Sequence, residues 1–154
     1  MARTIIVPKI KVQVSFDKRV KASSLYKVEN VLDMHRLCMS IFNKDTFNWT
    51  EEMLMFCLNR NGYVVGYYKL SSGATSQTFC DSKVVFTIAL NCTAHSIIFV
   101  HNHPSRNPNP SKTDIDSFNK LRRAGKLLDI HVLDSLVITN KTIFSISKNS
   151  KLEL

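Results

Sequence analysis

The sequence has few of the residues that mark fibrous, disulfide-rich or membrane proteins. Only 4 Gly and 4 Pro occur among 154 residues, which excludes collagen-like and low-complexity chains. The four cysteines form no CxxC pair, so neither a disulfide framework nor a thiolate zinc knuckle is indicated; they are Cys38, Cys57, Cys80 and Cys92. No apolar run approaches the length of a membrane span. We therefore expect a cytoplasmic protein with reduced thiols and no membrane association.

Basic residues outnumber acidic ones. The chain has 21 Lys and Arg against 12 Asp and Glu, a net charge of +9, while 44% of its residues are hydrophobic, enough for the core of one domain. Net charge bears on partners and not on fold, so a nucleic-acid partner is one interpretation. Four basic residues of one predicted helix, however, also fit an ordinary solvated face, and we favour that explanation; they are Lys120, Arg122, Arg123 and Lys126.

Hydrophobic periodicity predicts nine elements in the order β-α-β-β-α-β-α-β-β. The first five are a strand at 10–14, a helix within 28–42 capped by Asn30, strands at 51–58 and 64–70, and a helix after Asp81. The other four are a strand at 97–100, a helix from Ser111 to about 128, and strands at 132–138 and 143–146. Gly125 lies near the end of the last helix. This order predicts one α/β domain with helices covering a central sheet. We assign residues 1–22 to a basic arm, 23–148 to the domain and 149–154 to a tail.

One segment combines metal-binding residue types: His101-Asn102-His103, followed by Ser111 and Asp114. Residues i and i+2 at a strand end share a face, so both imidazoles can point to one place. A proline-rich loop can return Asp114, in the first turn of a helix, to that place. Two imidazoles and a carboxylate suit Zn²⁺, with water as the fourth ligand, the arrangement of a catalytic site. We predict one Zn²⁺ per chain on His101, His103 and Asp114.

Each part of this segment also has an ordinary explanation. An HxH pair alone is more often two loop histidines. Ser111 and Asp114, three positions apart, resemble a helix capping box. These explanations do not account for the occurrence of all the parts together after a buried strand.

The string HNHPSRNPNPSKTD, residues 101–114, resembles the JAMM signature H-x-H-x7-S-x2-D of the JAB/MPN metalloprotease superfamily without a spacing error. It is most similar to the RadC-like branch, as are segments 56–73 and 124–139. The resemblance implies that residues 23–148 form a JAB/MPN-type α/β domain, with a mixed central sheet between helices in a three-layer architecture like that of the cytidine deaminases. It also implies a zinc-dependent hydrolase that cleaves peptide or isopeptide bonds in a protein or peptide substrate.

The same resemblance implies two catalytic residues. The family's general acid/base glutamate lies eight positions before the residue that ends its strand, here Asn59, which implies Glu51. Glu52 is the competitor, because strand alternation allows only one of the two to face the metal. Ser111 is the implied hydrogen-bond donor to the oxyanion.

Two positions depart from the family pattern. Arg106 stands where the family usually has glycine, and we expect a change in the loop that leaves the ligands in place. Ser135 follows Asp134 where the family often has histidine; if that histidine supports the metal, its loss argues against activity.

Three other classes of protein are alternatives to the hydrolase. A zinc nucleobase deaminase needs H-x-E and P-C-x-x-C, which this sequence lacks. A metal-free binding module is disfavoured because the ligand set is intact. The alternative that stays open is a DNA-associated RadC-like protein, linked to DNA repair or mobile elements, whose basic surface binds nucleic acid.

Overall fold

Three α-helices and six strands form in the parts of the chain that the computed structural model describes, residues 11–18, 20–73 and 81–154. In chain order they are a 3₁₀ helix at Ala22–Ser24, α1 (Val31–Ile41), β1 (Glu52–Leu58), β2 (Val64–Ser72), α2 (Ser82–Asn91), β3 (Ser96–Asn102), α3 (Lys112–Leu127), β4 (His131–Ile138), β5 (Thr142–Ser145) and β6 (Ser150–Glu153). None of these helices is long and apolar enough to span a membrane.

The strands form one mixed sheet in the order β2-β1-β3-β4-β5-β6. Only β3 and β4 run parallel; the other neighbouring pairs are antiparallel. A parallel pair needs a crossover, and α3 supplies it. The chain therefore passes from the end of β3 directly into the loop that begins α3.

Two apolar cores lie on opposite faces of the sheet. On one face, Met53, Met55 and Phe99 pack against α2 and α3. On the other face, Leu54, Phe56 and further strand residues pack against Met34 and Cys38 of α1. The sheet thus lies between helices in three layers, which confirms the predicted α/β architecture.

Polar side chains cap the helices where the sequence indicates. Asn30 accepts hydrogen bonds from the backbone of Leu32 and Asp33, and the Asp33 carboxylate completes a capping box at the start of α1. Asp81 caps α2 through the backbone N–H of Lys83. These bonds satisfy donors that the first helical turn leaves free.

Both ends of the chain differ from the sequence prediction. Ile10 lies outside the described residues, but residues 11–14 form no strand, and Val12 is 69% exposed. The predicted strand is therefore wrong over these four residues, since apolar alternation makes a strand only where a partner strand accepts its hydrogen bonds. Conversely, residues 150–153 of the assigned tail form β6, paired with β5 after a turn at Asn149.

Gly125 allows α3 to pack closely on the chain that follows it. The helix continues past this glycine to Leu127. A Cβ at position 125 would lie 2.5 Å from the carbonyl oxygen of Ile130 and 2.9 Å from a methyl group of Val132. The glycine therefore permits the close approach of α3 to β4, which in turn fixes where α3 begins relative to the sheet.

Candidate metal centre

The end of β3 brings two imidazoles together. His101 pairs in register with Met53 of β1, on the face that packs against α3, and its side chain is almost fully buried. His103 follows the last residue of the strand. Their Nε2 atoms lie 3.0 Å apart. The alternation of side chains along the strand therefore places both nitrogens at one point.

The first turn of α3 brings Asp114 to the same point. Its Oδ1 lies 3.7 Å from His101 Nε2, and its Oδ2 lies 4.0 Å from His103 Nε2. A tetrahedral zinc ion with bonds of about 2.0–2.1 Å separates its ligand atoms by about 3.3 Å. The Asp114 carboxylate is therefore close enough to share a small divalent cation with the histidines, with each of its oxygens facing one imidazole.

Opposing effects act on the ionisation of Asp114. Burial raises the pKa of this carboxyl, but the nearby imidazole of His101 and hydrogen bonds from Ser111 lower it more. The net result holds the pKa of Asp114 below its usual range. The group is therefore a carboxylate at neutral pH, the form that binds a cation.

A backbone carbonyl sets the tautomer of His103. Its Nδ1 lies 2.7 Å from the carbonyl oxygen of Asn107. A carbonyl only accepts hydrogen bonds, so Nδ1 carries a proton, and in the neutral imidazole this leaves the lone pair of Nε2 available to a metal ion. This is the arrangement by which outer contacts orient metal-binding histidines. The sequence gives no signal for it, because the acceptor is main chain and not a side chain.

Glu51, and not Glu52, joins the histidines. Glu51 lies immediately before β1, and its carboxylate and a ring nitrogen of each histidine lie within 4.8 Å of one another. Glu52 instead accepts hydrogen bonds from Lys69 Nζ at 2.9 Å and Ser72 Oγ at 3.2 Å. Strand alternation places the carboxylates of Glu51 and Glu52 on opposite faces of the sheet, as the sequence predicts.

Ser111 is bonded directly to Asp114. Its hydroxyl donates to Asp114 Oδ2 at 2.6 Å and accepts from the Asp114 backbone N–H at 3.1 Å. The capping box is therefore formed, and it uses the same carboxylate that faces the histidines. Asp114 therefore caps the helix and faces the two histidines at the same time.

The two departures from the family pattern have structural explanations. Arg106 has a φ of +62°, a left-handed conformation that glycine adopts more easily, and its N–H donates to the His103 carbonyl. Ser135 lies on the wall of a cavity of about 10 Å³ that Asp114 also borders. Position 135, where the family often has histidine, therefore lies beside Asp114.

The donor set could hold a divalent metal ion, since two imidazoles and carboxylates are common ligands of such metals. A comparison with protein families matches residues 27–152 to the RadC-like JAB domain. The chain belongs to this family. The two segments that carry Glu51 and the histidine motif both lie within the matched residues.

Individual relatives agree with that assignment. A UPF0758 protein from Alkaliphilus metalliredigens is 32% identical over 143 residues, covering 89% of this chain and 59% of the relative. Another from Flavobacterium johnsoniae is 37% identical over 95 residues, covering 62% and 42%. A third, from Thermotoga maritima, is 26% identical over 126 residues, covering 82% and 55%. The chain thus spans about half the length of these curated relatives, and their names state no activity.

Proposed function

We propose that this domain is a zinc-dependent hydrolase that cleaves a peptide or isopeptide bond. The observation that carries the proposal is the convergence of His101, His103 and Asp114 with one further carboxylate, that of Glu51, on one face of the sheet. A purely structural zinc site closes all four positions with protein ligands, whereas hydrolysis needs a position for water and a base beside it. Two histidines and two carboxylates can supply three ligands and one base, and the family resemblance assigns Asp114 as the ligand and Glu51 as the base.

Zinc in this site would lower the pKa of a bound water to about 7 and polarise the substrate carbonyl. His101 and His103 present their Nε2 atoms, and Asp114 supplies the anionic ligand. Glu51 lies close enough to these nitrogens to accept a proton from the attacking water and to pass it to the leaving amine. The carboxylate therefore acts first as base and then as acid.

Ser111 provides the hydrogen-bond donor for the developing oxyanion. Its hydroxyl proton points to Asp114 Oδ2 in this structure. Rotation about the Cβ–Oγ bond redirects that proton to the substrate oxygen without moving the backbone. The N–H of Ser111 also donates to Asp114, at 2.7 Å, so the carboxylate keeps a partner during this rotation.

Peptide libraries test the proposal. The zinc-loaded protein is incubated with a proteome-derived peptide mixture and with synthetic isopeptides on lysine ε-amines, and new termini are detected by mass spectrometry. We expect cleavage that a chelator abolishes and Zn²⁺ restores, and that Glu51→Gln lowers about 10²–10⁴-fold. Cleavage of neither probe by the zinc-loaded protein would contradict the proposal.

Glu52→Gln is the matched control. It removes the neighbouring carboxylate on the other face of β1, which contacts Lys69 and Ser72 and not the histidines. Cleavage should persist in this variant. If Glu52→Gln abolishes cleavage and Glu51→Gln does not, the assignment of the base is reversed.

Nucleic-acid binding is a second candidate, favoured by the surface of α3. Four of its five cations lie in its second half, are exposed and take part in no ion pair within the described parts of the chain; they are Lys120, Arg122, Arg123 and Lys126. Cations without acidic partners can contact phosphates.

Cys38, Cys57 and Cys92 are free thiols, which fits a reducing, cytoplasmic setting for either function.

Fluorescence anisotropy with a labelled DNA duplex tests the second candidate. Binding should weaken as salt rises, and a Lys120→Ala, Arg123→Ala, Lys126→Ala triple variant should reduce the slope of log K against log salt by about 3. Absence of binding even at low salt excludes the candidate.

A further inference from the structure

Asn102, between the two histidines of the motif, points away from them. Alternation along β3 directs its side chain to the opposite face of the sheet, where the connection from α1 to β1 passes. The residue is fully buried. A buried amide is costly unless its polar atoms are bonded, so its partners show what it holds in place.

Three hydrogen bonds join Asn102 to that connection. Its Nδ2 donates to the carbonyl oxygen of Phe47 at 2.6 Å and to that of Thr50 at 2.9 Å. Its Oδ1 accepts from the N–H of Glu52 at 2.8 Å. The partners lie 50–55 positions earlier in the chain, so the amide joins two distant segments.

These partners flank Glu51 on both sides. The Thr50 carbonyl belongs to the peptide plane that precedes Glu51, and the Glu52 N–H belongs to the plane that follows it. Fixing both planes fixes the backbone dihedrals of Glu51 and hence the direction of its Cα–Cβ bond. The Glu51 carbonyl is held separately by the N–H of Gly73 at 2.9 Å.

We propose that Asn102 is a positioning residue, which holds the Glu51 carboxylate over the metal centre; this rests on the role proposed above for Glu51. The tripeptide His101-Asn102-His103 then supplies both imidazoles and also orients Glu51, the residue that transfers the proton. An amide suits the task because it offers two donors and an acceptor in one plane. Aspartate lacks the donors, and serine has only one.

A thermodynamic cycle on zinc affinity tests the link between Asn102 and Glu51 without any substrate. Zn²⁺ is titrated against a chromophoric chelator in the wild type, Asn102→Ala, Glu51→Gln and the double variant. Each single change should weaken zinc binding about 10-fold, because the carboxylate beside the cation is lost or displaced. The double variant should bind no more weakly than Glu51→Gln, since Asn102 acts through Glu51.

Asn140→Ala is the matched control. Asn140 Nδ2 donates to Asn48 Oδ1 at 2.9 Å, so it also ties the connection between α1 and β1, but it does not touch the peptides that flank Glu51. This variant should bind zinc as the wild type does. If Asn102→Ala fails to fold, Asn102→Ser, which keeps one donor and one acceptor, replaces it.

Additive losses in the cycle would overturn the proposal, because they would show that Asn102 acts on the histidines and not through Glu51. Hydrogen exchange in the metal-free protein gives a second measurement: Asn102→Ala should speed exchange at residues 47–52 and leave β5 unchanged. Unchanged exchange would also overturn it. If the wild type binds no zinc, the proposed hydrolase fails, and exchange alone decides the role of Asn102.

Discussion

The hydroxyl of Ser111 donates to the Asp114 carboxylate at 2.6 Å and accepts from the Asp114 backbone N–H at 3.1 Å, while Asp114 Oδ1 lies 3.7 Å from His101 Nε2. The carboxylate thus completes a helix cap through Oδ2 and faces His101 through Oδ1 and His103 through Oδ2. The start of α3 is thereby tied to the metal centre, so a change that disturbs the cap should also disturb metal binding.

Ser111→Ala should therefore reduce both stability and zinc affinity. Loss of the cap costs about 1 kcal/mol, and loss of the bond that orients the ligand costs about 10-fold in zinc affinity. Asn30→Ala removes the equivalent capping box of α1, far along the chain from the histidines, and should lower only stability. Thermal melting and zinc titration measure the two effects. Equal zinc affinities in the two variants would show that the cap does not orient the ligand.

Arg106→Gly should stabilise the protein. A side chain at a φ of +62° costs about 1 kcal/mol relative to glycine, so the melting temperature should rise by about 2–4 °C. Thr93→Gly, at a φ of +50° between α2 and β3, should give a comparable gain away from the metal centre. A lower melting temperature in Arg106→Gly would show that the arginine side chain makes compensating contacts.

Gly125→Ala should destabilise the protein, because its Cβ would meet the backbone oxygen of Ile130 at 2.5 Å. Overpacking of this kind costs about 1–3 kcal/mol, which chemical denaturation can measure. Gly66→Ala is the control: its Cβ would meet only the ring of Phe16 at 3.1 Å, and that side chain can move. Equal effects of the two substitutions would contradict the account of how α3 packs on β4.

Buried thiols should resist alkylation. Burial raises the pKa of Cys38, and burial with the neighbouring Cys92 raises the pKa of Cys57 to about 12. The thiolate is the nucleophile, so both should react with iodoacetamide at pH 8 only after unfolding, whereas the partly exposed Cys92 should react in the folded protein. Site-resolved mass spectrometry measures this. Rapid labelling of Cys57 in the folded protein would contradict its burial.

The sequence predicts the histidine pair well because side-chain alternation is a local property of a strand. It also predicts both capping boxes, whose partners lie three residues apart. The choice of Glu51 over Glu52 depends on which face of β1 meets the histidines. The motif spacing implies Glu51, and Glu51 is the residue that lies beside the histidines in the structure.

Other features depend on contacts that side-chain patterns do not encode. The acceptor for His103 is the backbone carbonyl of Asn107, and the partners of Asn102 are backbone groups some 50 residues away. Arginine at position 106 does not indicate the left-handed backbone conformation that a glycine there would suggest. Strand β6 and the absence of a strand at residues 11–14 depend on the availability of a partner strand, which apolar alternation does not report.

Zinc stoichiometry tests whether His101, His103 and Asp114 hold a metal ion. The protein is stripped with a chelator, reloaded with Zn²⁺, freed of excess metal and analysed by elemental mass spectrometry beside His103→Ala and a control, His131→Ala, at the opposite end of the sheet. We expect one zinc per chain in the wild type and in His131→Ala, and loss of tight binding in His103→Ala. A wild type without zinc, or a His103→Ala variant that retains it, would contradict the account.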